Sequence, residues 1–558
     1  MRYLKRLSVF VLAASVLAGT AVVFAQKATK SVGKTTAAPA VPSFGNTDGV
    51  TAKQLREYLT FIASDELEGR DTPSRGLDIA AMFIAQHLSS WGIKPAGDNG
   101  TYFQNIPLKW RAIDAEKTSF SLNGQSFAYG KDFLASQVPA NFADSTLVFA
   151  GNGWVVKSKN IDPYQGIDVK DKVVVVVGGL PKGVTFQDLQ GAAPGDVINP
   201  QAYAQAHGAK AVIGFPSFNT MANWDASKWN QSEKGSVAMV TGQNQNQPTI
   251  PTITVSPRII AMMFNGEKAN GVSLFNKAVA ADTFESFELK PTKKVSASVG
   301  VVSRDIHTQN VVGILEGSDP NLKNEYVAIG AHYDHVGMNP FAPGDDKIWN
   351  GADDDGSGTV SVLSIAEAFA TGKDRPKRSM LFIWHAGEEK GLWGSEYFTS
   401  HPTVPITSVI TELNIDMIGR YQNPGDENHP INKELPKRGE IFTIGNTMMS
   451  TELGQIADEV NSSFLKINYN PRYADPNDPN RYFYRSDHFN YAKHGVPIIF
   501  FMDGTHADYH QPSDSVEKIN FEEMAKVART IMATGWTLAN RDKRPTVDKP
   551  LPASVSGN

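Results

Sequence analysis

The sequence predicts an α/β fold: a mostly parallel mixed sheet flanked by helices, with an inserted β-rich domain. From about residue 300, apolar strands alternate with helices, which is typical of a parallel sheet covered on both faces. Between about residues 130 and 295, short β-rich runs are separated by Gly, Pro, Asn and Gln. The chain has 558 residues, 41% hydrophobic and 20% charged, and is long enough for more than one domain.

The N-terminus has the features of a secretory signal peptide. Three basic residues precede an apolar run from Leu7 to Leu17, and a small-x-small cleavage signal ends at Ala25. The alternative is an uncleaved membrane anchor, but serine, glycine and threonine interrupt the apolar stretch. We therefore expect cleavage after Ala25 and export, either to a periplasm or to the medium.

Composition excludes disulfides and lipid attachment, and it argues against some kinds of partner. The sequence has no cysteine, which rules out disulfides and lipid attachment through an N-terminal cysteine. Loss of the signal peptide would change the formal net charge from −5 to −8, and this mild acidity argues against nucleic acid as a partner. No other stretch is long and apolar enough to span a membrane, so no membrane association is expected after cleavage. The sequence does not indicate an oligomeric state.

Two helices are expected at the start of the folded chain, after Thr51 and after Gly76, because apolar residues recur there at helical spacing. The second is expected to end at Gly92. Within the inserted region, the polar stretch 219–248 is predicted to be surface loop. The predicted segments are a signal peptide (1–25), a flexible leader (26–46), the N-terminal part of the main domain (47–130), the inserted domain (131–295), the rest of the main domain (296–545) and a flexible tail (546–558).

The part of the chain after residue 300 supplies most of the predicted sheet. Its strands are "NVVGILEG", "EYVAIGAHYDH", "SMLFIWHAG", "TELNIDMIG", "IFTIG" and "VPIIFFMDG". Its helices are "TVSVLSIAEAFATG", "GSEYFTSH", "TELGQIADEVNSSF", "SDHFNYAKHG" and "FEEMAKVARTIMATGWTLANR". Ligands of such sheets bind beyond the carboxyl ends of the strands, so polar residues there are candidates for a functional site.

The first candidate is His332, at the end of "EYVAIGAH". One ring nitrogen can bind a metal, while Asp334 can accept the other ring N–H and fix the tautomer. A hydrogen-bonded structural histidine is the alternative.

The second candidate is the run of three aspartates, Asp353 to Asp355, between glycines ahead of a helix. Carboxylates are favoured at helix N-termini, so a solvated helix cap is one interpretation. The other is that the flanking glycines allow a tight turn in which one carboxylate bridges two cations.

The third candidate is the pair Glu388 and Glu389 in "AGEEKGLWGS", which follows another strand. Neighbouring side chains at a turn point in different directions, so one glutamate can bind a metal while the other faces the attacking water. An exposed acidic turn is the alternative.

Two further residues complete the set. Asp416 stands among apolar neighbours in "NIDMIG", where an unpaired charge would be costly. His510 stands in the loop "DYHQPSDS", where a lone histidine is usually solvated. Together, two imidazoles and three carboxylates suit a borderline cation such as zinc. If Asp353 bridges, each of two metals receives a histidine, a terminal carboxylate and the bridge, and keeps a position for water.

The stretches "GAHYDH", "GADDDGSG", "AGEEKGLWGS", "NIDMIGR", "SDH" and "YHQPSDS" resemble, in this order, those of the M28 family of zinc peptidases. The resemblance covers about residues 300–540 and implies the zinc-dependent exopeptidase fold with two Zn²⁺ per chain. The region 131–295 is similar to a protease-associated domain, an insertion found in secreted members. The segment from "FIASDELEGR" to "GTYFQ" resembles the N-terminal part of such enzymes.

The resemblance assigns a role to each candidate. It implies one zinc on His332 and Asp416, a second on Glu389 and His510, and a bridge from Asp353. It makes Glu388 the general base and Asp334 the residue that orients His332. It also implies a cis peptide bond between Asp353 and Asp354.

The segment "RYFYRSDHFNYAKHGVPIIFF" is expected to line the substrate side of the site. Tyr484 is expected to donate a hydrogen bond to the developing oxyanion. Arg485 is expected either to bind a substrate carboxylate or to brace its loop.

The function expected from these residues together with the resemblance is that of a secreted aminopeptidase acting on peptide substrates. A carboxypeptidase or dipeptidase with the same metals remains an alternative. A glutaminyl cyclase would use a single zinc, and a non-catalytic binding protein of this fold would lack ligands. A serine hydrolase and the commonest single-zinc protease are disfavoured, because G-x-S-x-G and H-E-x-x-H are absent from the sequence.

Overall fold

The computed structural model describes residues 43–551, except 191, 194, 241–248 and 281. The predicted signal peptide, residues 26–42 of the predicted leader and residues 552–558 of the predicted tail lie outside the described residues. Phe44, which the sequence placed in the leader, is buried and packs on Phe464 with 5.2 Å between ring centroids. The packed chain therefore includes the end of the predicted leader.

The main sheet is built from seven principal strands. They are β1 (Phe103–Leu122), β2 (Val295–Leu315), β3 (Tyr326–His332), β4 (Ser379–His385), β5 (Val409–Ile415), β6 (Glu440–Ile444) and β7 (Ile498–Met502). Their order across the sheet is β1-β2-β4-β3-β5-β7-β6. Shorter strands extend the sheet: Lys94–Pro95, Gln125–Phe127, Ala140–Ser145, Ser236–Met239 and Asn468–Asn470.

The centre of this sheet is parallel, as the alternation of strands and helices predicted. β4, β3, β5 and β7 run parallel to one another, whereas β1, β2 and β6 pair antiparallel with their neighbours among the seven principal strands. Every residue of β4 and β5 is buried, and β4 is almost continuously apolar in sequence, as expected of a strand covered on both faces. The four parallel strands deliver their carboxyl ends to one edge of the sheet.

Helices cover both faces of the sheet. One face packs against Ala52–Ile62, Arg75–Ser90, Gly358–Thr371, Thr451–Ser463 and Phe521–Asn540, and the other against Trp393–Ser400 and His488–Lys493. None of the helices within the described ranges is long and apolar enough to cross a membrane. The predicted fold class, a mixed sheet flanked by helices, is therefore confirmed.

A second sheet lies between β1 and β2 in sequence. Its strands, in spatial order, are Phe287–Glu288, Leu147–Phe149, Val173–Val176, Ala211–Gly214, Thr252–Val255 and Phe133–Ala135. The four central strands are parallel. Its helices are Phe186–Gln190, Pro200–Ala206, Pro257–Met263 and Gly271–Val279, and a two-stranded ribbon joins Val155–Val156 to Val197–Ile198.

The long strands β1 and β2 belong to both halves of the molecule. Phe120 of β1 and Val295 of β2 are buried in the core of the second sheet, while Val311 of β2 is buried in the core of the main sheet. If the inserted region is defined by the residues of its hydrophobic core, it starts inside β1, earlier than the predicted boundary at residue 131. Its identification as a protease-associated domain stays a prediction.

The prediction that residues 219–248 are surface loop is wrong for the described part of the stretch. Residues 218–239 contain the helices Phe218–Ala222 and Trp224–Trp229, a helical turn at Asn230–Lys234 and the strand Ser236–Met239, which pairs with β1. Polar composition hid these elements, because they pack through only a few large side chains. Trp229 contacts Phe341 of the main domain, with 6.1 Å between ring centroids.

Candidate metal centre

Five acidic and histidine side chains predicted from the strand exits lie at the carboxyl edge of the parallel strands. His332 is the last residue of β3, Asp416 follows β5 directly, and Glu388 and Glu389 follow β4. His510 lies in the loop after β7. Parallel strands end at one edge, so residues 178 positions apart in sequence come together.

Asp354 lies at the centre of this cluster. Its Oδ1 is 3.3 Å from His332 Nε2, and its Oδ2 is 3.1 Å from His510 Nε2. The carboxylate therefore has one oxygen directed to each of two groups of donor atoms. The first group is His332, Asp354 and Asp416, and the second is His335, Asp354, Glu389 and His510.

In the first group, His332 Nε2 lies 3.6 Å from Asp416 Oδ1. In the second, His510 Nε2 lies 3.0 Å from Glu389 Oε2, and His335 Nδ1 lies 2.9 Å from Glu389 Oε1. Within each group, the donor atoms all lie within 4.8 Å of one another. Each group is therefore compact enough to surround one cation.

The buried donor atoms of this cluster fit a metal better than they fit one another. His332 Nε2, His335 Nδ1, Asp354 Oδ2, Glu389 Oε1 and His510 Nε2 make no hydrogen bond with any described residue. Buried polar atoms without a partner are costly, so such a convergence calls for a positive ion. Imidazole and carboxylate donors without thiolate suit borderline cations such as zinc.

The assignment of the bridge to Asp353 is corrected to Asp354. Asp353 Oδ1 accepts the backbone N–H of Gly419 at 2.7 Å, and its Oδ2 is 3.1 Å from His506 Nε2. Asp353 therefore holds neighbouring loops and is absent from both donor groups. The cis peptide bond likewise joins Asp354 to Asp355, not Asp353 to Asp354. Three consecutive aspartates gave no sequence signal for this one-residue choice.

Asp334 connects His332 to Glu388. His332 Nδ1 is 3.1 Å from the carbonyl oxygen of Asp334 and 3.5 Å from its Oδ1. That Oδ1 accepts the backbone N–H of Glu388 at 3.2 Å, and Oδ2 accepts the hydroxyl of Thr72 at 2.9 Å. Asp334 therefore fixes both the histidine ring and the start of the glutamate turn.

The carboxylate of Glu388 lies beside the first donor group without belonging to it. Its Oε2 is 3.9 Å from His332 Nε2, and its side chain is only 12% exposed. Burial, reinforced by the negative charges of Asp416 and Glu389, raises the pKa of Glu388 well above its ordinary value, against the opposing effect of His332. A carboxyl group in such a setting is suited to accepting and returning a proton.

Arg70 is a buried residue of the site that the sequence did not single out. Its guanidinium donates to the carbonyl oxygens of Tyr333 at 2.9 Å, Asn350 at 2.6 Å and Gly351 at 3.0 Å, and also to that of Ile62 at 2.6 Å. It thereby ties the loop after β3 to the turn that carries Asp354. Burial lowers the pKa of Arg70 to about 10, which leaves the side chain charged at neutral pH.

A narrow cleft opens beside the donor groups, and Arg485, whose role in substrate binding stays a prediction, is one of its lining residues. Its guanidinium carbon is 5.0 Å from the Tyr482 ring centroid, and Nη2 donates to the Tyr509 hydroxyl at 3.4 Å. The cleft is lined by Asp354, Glu388, Asp416, Met417, Tyr482, Arg485, Phe500, Met502, Thr505 and Tyr509.

Tyr484, predicted to face the substrate, is not part of this lining. Its hydroxyl donates to the carbonyl oxygen of Pro476 at 3.4 Å. Residues 482–484 form a turn of 3₁₀ helix, in which side chains two positions apart point in different directions. The structure therefore places Tyr482 and Tyr509 at the cleft, and not Tyr484.

Comparison with known proteins relates part of the chain to a known family. Residues 310–535 match the model of peptidase family M28. A probable leucine aminopeptidase of Arthroderma benhamiae is 24% identical over 329 residues, which are 53% of this chain and 83% of that protein. A probable zinc metalloprotease of Phaeosphaeria nodorum is 27% identical over 277 residues, 43% of this chain and 54% of that protein.

The fold also matches a solved structure, that of an aminopeptidase from Aneurinibacillus sp. strain AM-1. The TM-score is 0.51 at 18% identity, and the match covers 90% of this chain and 97% of the other. At this identity the likeness concerns the fold. The family match covers residues 310–535, so this part of the chain, which contains the donor groups, is similar to peptidase family M28.

Proposed function

We propose that this protein is a secreted aminopeptidase with two zinc ions, in which Glu388 activates the attacking water. The observation that carries the proposal is the position of Asp354, whose two carboxylate oxygens are directed to two different groups of donors. A carboxylate shared in this way could contribute to both positions of a two-metal hydrolytic site.

Zinc bound by these groups would polarise the scissile carbonyl and make water acidic enough to attack it. His332, Asp354 and Asp416 would hold one ion, and Glu389 and His510 with Asp354 would hold the other. The names of the matched relatives, a leucine aminopeptidase and a zinc metalloprotease, support both the metal and the reaction class.

Glu388 would carry the proton during hydrolysis. Its carboxylate would take a proton from the attacking water as the C–O bond forms, and would give it to the leaving nitrogen as the C–N bond breaks. Asp334 keeps the turn in place, because it accepts the backbone N–H of Glu388. Glu388 would thus act as the base, and Glu389 would act as a metal ligand.

The cleft beside Glu388 is where the substrate's terminal residue would lie. Met417, Phe500 and Met502 give it an apolar wall suited to an uncharged side chain. Arg485, at the same cleft, favours the second candidate, a carboxypeptidase or dipeptidase, because a cation there can bind a substrate carboxylate. Its contacts with Tyr482 and Tyr509 support instead a bracing role.

Peptides blocked at one end decide between these two functions. The zinc-loaded chain is incubated with one peptide acetylated at its amino terminus and another of the same sequence amidated at its carboxyl terminus. An aminopeptidase cleaves only the amidated peptide. Cleavage of the acetylated peptide alone would overturn the aminopeptidase proposal in favour of the carboxypeptidase.

Export is tested separately. The protein expressed with its own N-terminus should be recovered outside the cytoplasm, and N-terminal sequencing should start at Gln26. An intact N-terminus in the cytoplasm would contradict export.

A further inference from the structure

We propose that His335 is an additional metal ligand, so that the two metal positions are unequal: four protein ligands surround one and three surround the other. This inference rests on the proposed two-zinc function and adds a residue for which the predicted ligand set had no role. The four-ligand position comprises His335, Asp354, Glu389 and His510.

The first argument is the placement of the His335 ring. Nδ1 lies 2.9 Å from Glu389 Oε1 and 3.7 Å from Asp354 Oδ2, so it faces the same space as His510 Nε2. The side chain is fully buried, and neither ring nitrogen forms a hydrogen bond with the described residues. A buried imidazole whose Nδ1 faces two carboxylates without forming a hydrogen bond has the placement of a metal ligand.

The second argument is that the surrounding backbone is shaped to hold this ring. The backbone N–H of His335 donates to the carbonyl oxygen of Arg70 at 3.1 Å. Gly351 packs against the ring so closely that a Cβ there would lie 2.5 Å from His335 Cγ. The His335 and His510 rings meet edge to face at 76°, with centroids 5.5 Å apart. The two imidazoles therefore approach the space between them from different directions.

The unequal ligand counts predict different tasks for the two positions. Zinc is commonly four-coordinate, and catalytic sites keep one position open. Two imidazoles and two carboxylates fill that number at the His335 position. His332, Asp354 and Asp416 leave one place free at the other position, which is also the one beside Glu388. We therefore expect the His335 position to fill first and to bind more tightly.

Zinc X-ray absorption spectroscopy on the full chain counts the imidazoles directly. The wild-type protein with two equivalents of zinc should show three imidazole nitrogens shared by two ions, and with one equivalent it should show two on a single ion. His335→Gln should reduce these counts to two and one. Its affinity for the first equivalent should fall at least about tenfold, as for residues that support metal ligands.

His385→Gln is the matched control, because His385 is also fully buried, ends β4 and belongs to neither donor group. Its imidazole count should equal that of the wild type. Equal counts in the wild type and in His335→Gln, with two zinc ions in each, would overturn the proposal and leave His335 as a hydrogen-bond donor to Glu389.

Two further outcomes separate this inference from the proposed function. If His335→Gln fails to fold, the wild-type count alone decides, since three imidazoles support the proposal and two refute it. If the wild type shows three imidazoles but hydrolyses no peptide, the proposed function fails and the assignment of His335 stands. If the wild type shows two imidazoles but hydrolyses peptide normally, the assignment of His335 fails and the proposed function stands.

Discussion

The guanidinium of Arg70 donates to the carbonyl oxygen of Gly351 at 3.0 Å, directly beneath the turn that carries Asp354. The same side chain also binds the loop after β3, so one buried cation holds both halves of the metal centre together. We therefore expect metal affinity in this protein to depend on a residue whose own side chain contacts no metal ligand.

Replacing Arg70 by lysine should destabilise the protein and weaken zinc binding. A lysine ammonium cannot reproduce the planar fork that serves four carbonyl oxygens, and buried acceptors left unsatisfied cost about 1–3 kcal/mol each. Thermal unfolding of the metal-free protein and zinc titration measure the two effects. Arg258→Lys, at an exposed position of the inserted region, is the control and should change stability by at most about 0.5 kcal/mol. Equal behaviour of the two variants would contradict the role of Arg70.

Asp354→Asn should lower the metal content of the protein, whereas Asp353→Asn should leave it unchanged. Removing the charge of Asp354 weakens both donor groups, so we expect at most one zinc per chain after gel filtration. Asp353→Asn changes a residue that contacts Gly419 and His506, and it should retain two. Elemental analysis gives the counts. Loss of zinc from Asp353→Asn alone would restore the bridge to Asp353.

Gly351→Ala should cost more stability than Gly344→Ala. Both glycines have positive φ, +55° at Gly351 and +82° at Gly344, so each alanine is expected to introduce about 1–2 kcal/mol of backbone strain. At Gly351 the new Cβ would also lie 2.2 Å from the carbonyl oxygen of Asp354, whereas at Gly344 it meets nothing within 4 Å. We expect a further loss of about 1–3 kcal/mol at Gly351, together with weaker zinc binding. Thermal unfolding and zinc titration of the two variants test this, and indistinguishable results would refute the packing argument.

The sequence predicted the main sheet well because its signal is periodic. The segments that became β3, β4, β5 and β7 alternate with helices, and this alternation is typical of a parallel sheet covered on both faces. The helices at 218–229 were missed because that stretch is mostly polar. A local signal was present, since the side chain of Ser217 caps the first of them.

The sequence predicted those parts of the site in which a residue is positioned simply by following the end of a strand. His332, Asp416 and the glutamate pair come together because the parallel strands share an edge. The choice between Asp353 and Asp354 depends on the path of one turn, which sequence patterns do not encode. His335 and Arg70 were missed for a related reason: their contacts join loops that are distant in sequence.

The central claim is that Glu388 is the base of a two-zinc peptidase, and Glu388→Gln tests it most directly. The variant should bind two zinc ions per chain, because Glu388 belongs to neither donor group. Its turnover of an unblocked peptide should fall by roughly 10²–10⁴-fold, the usual contribution of a general base. Zinc content is measured by elemental analysis on the same sample as turnover. A variant that holds both zinc ions and hydrolyses peptide at the wild-type rate would contradict the account.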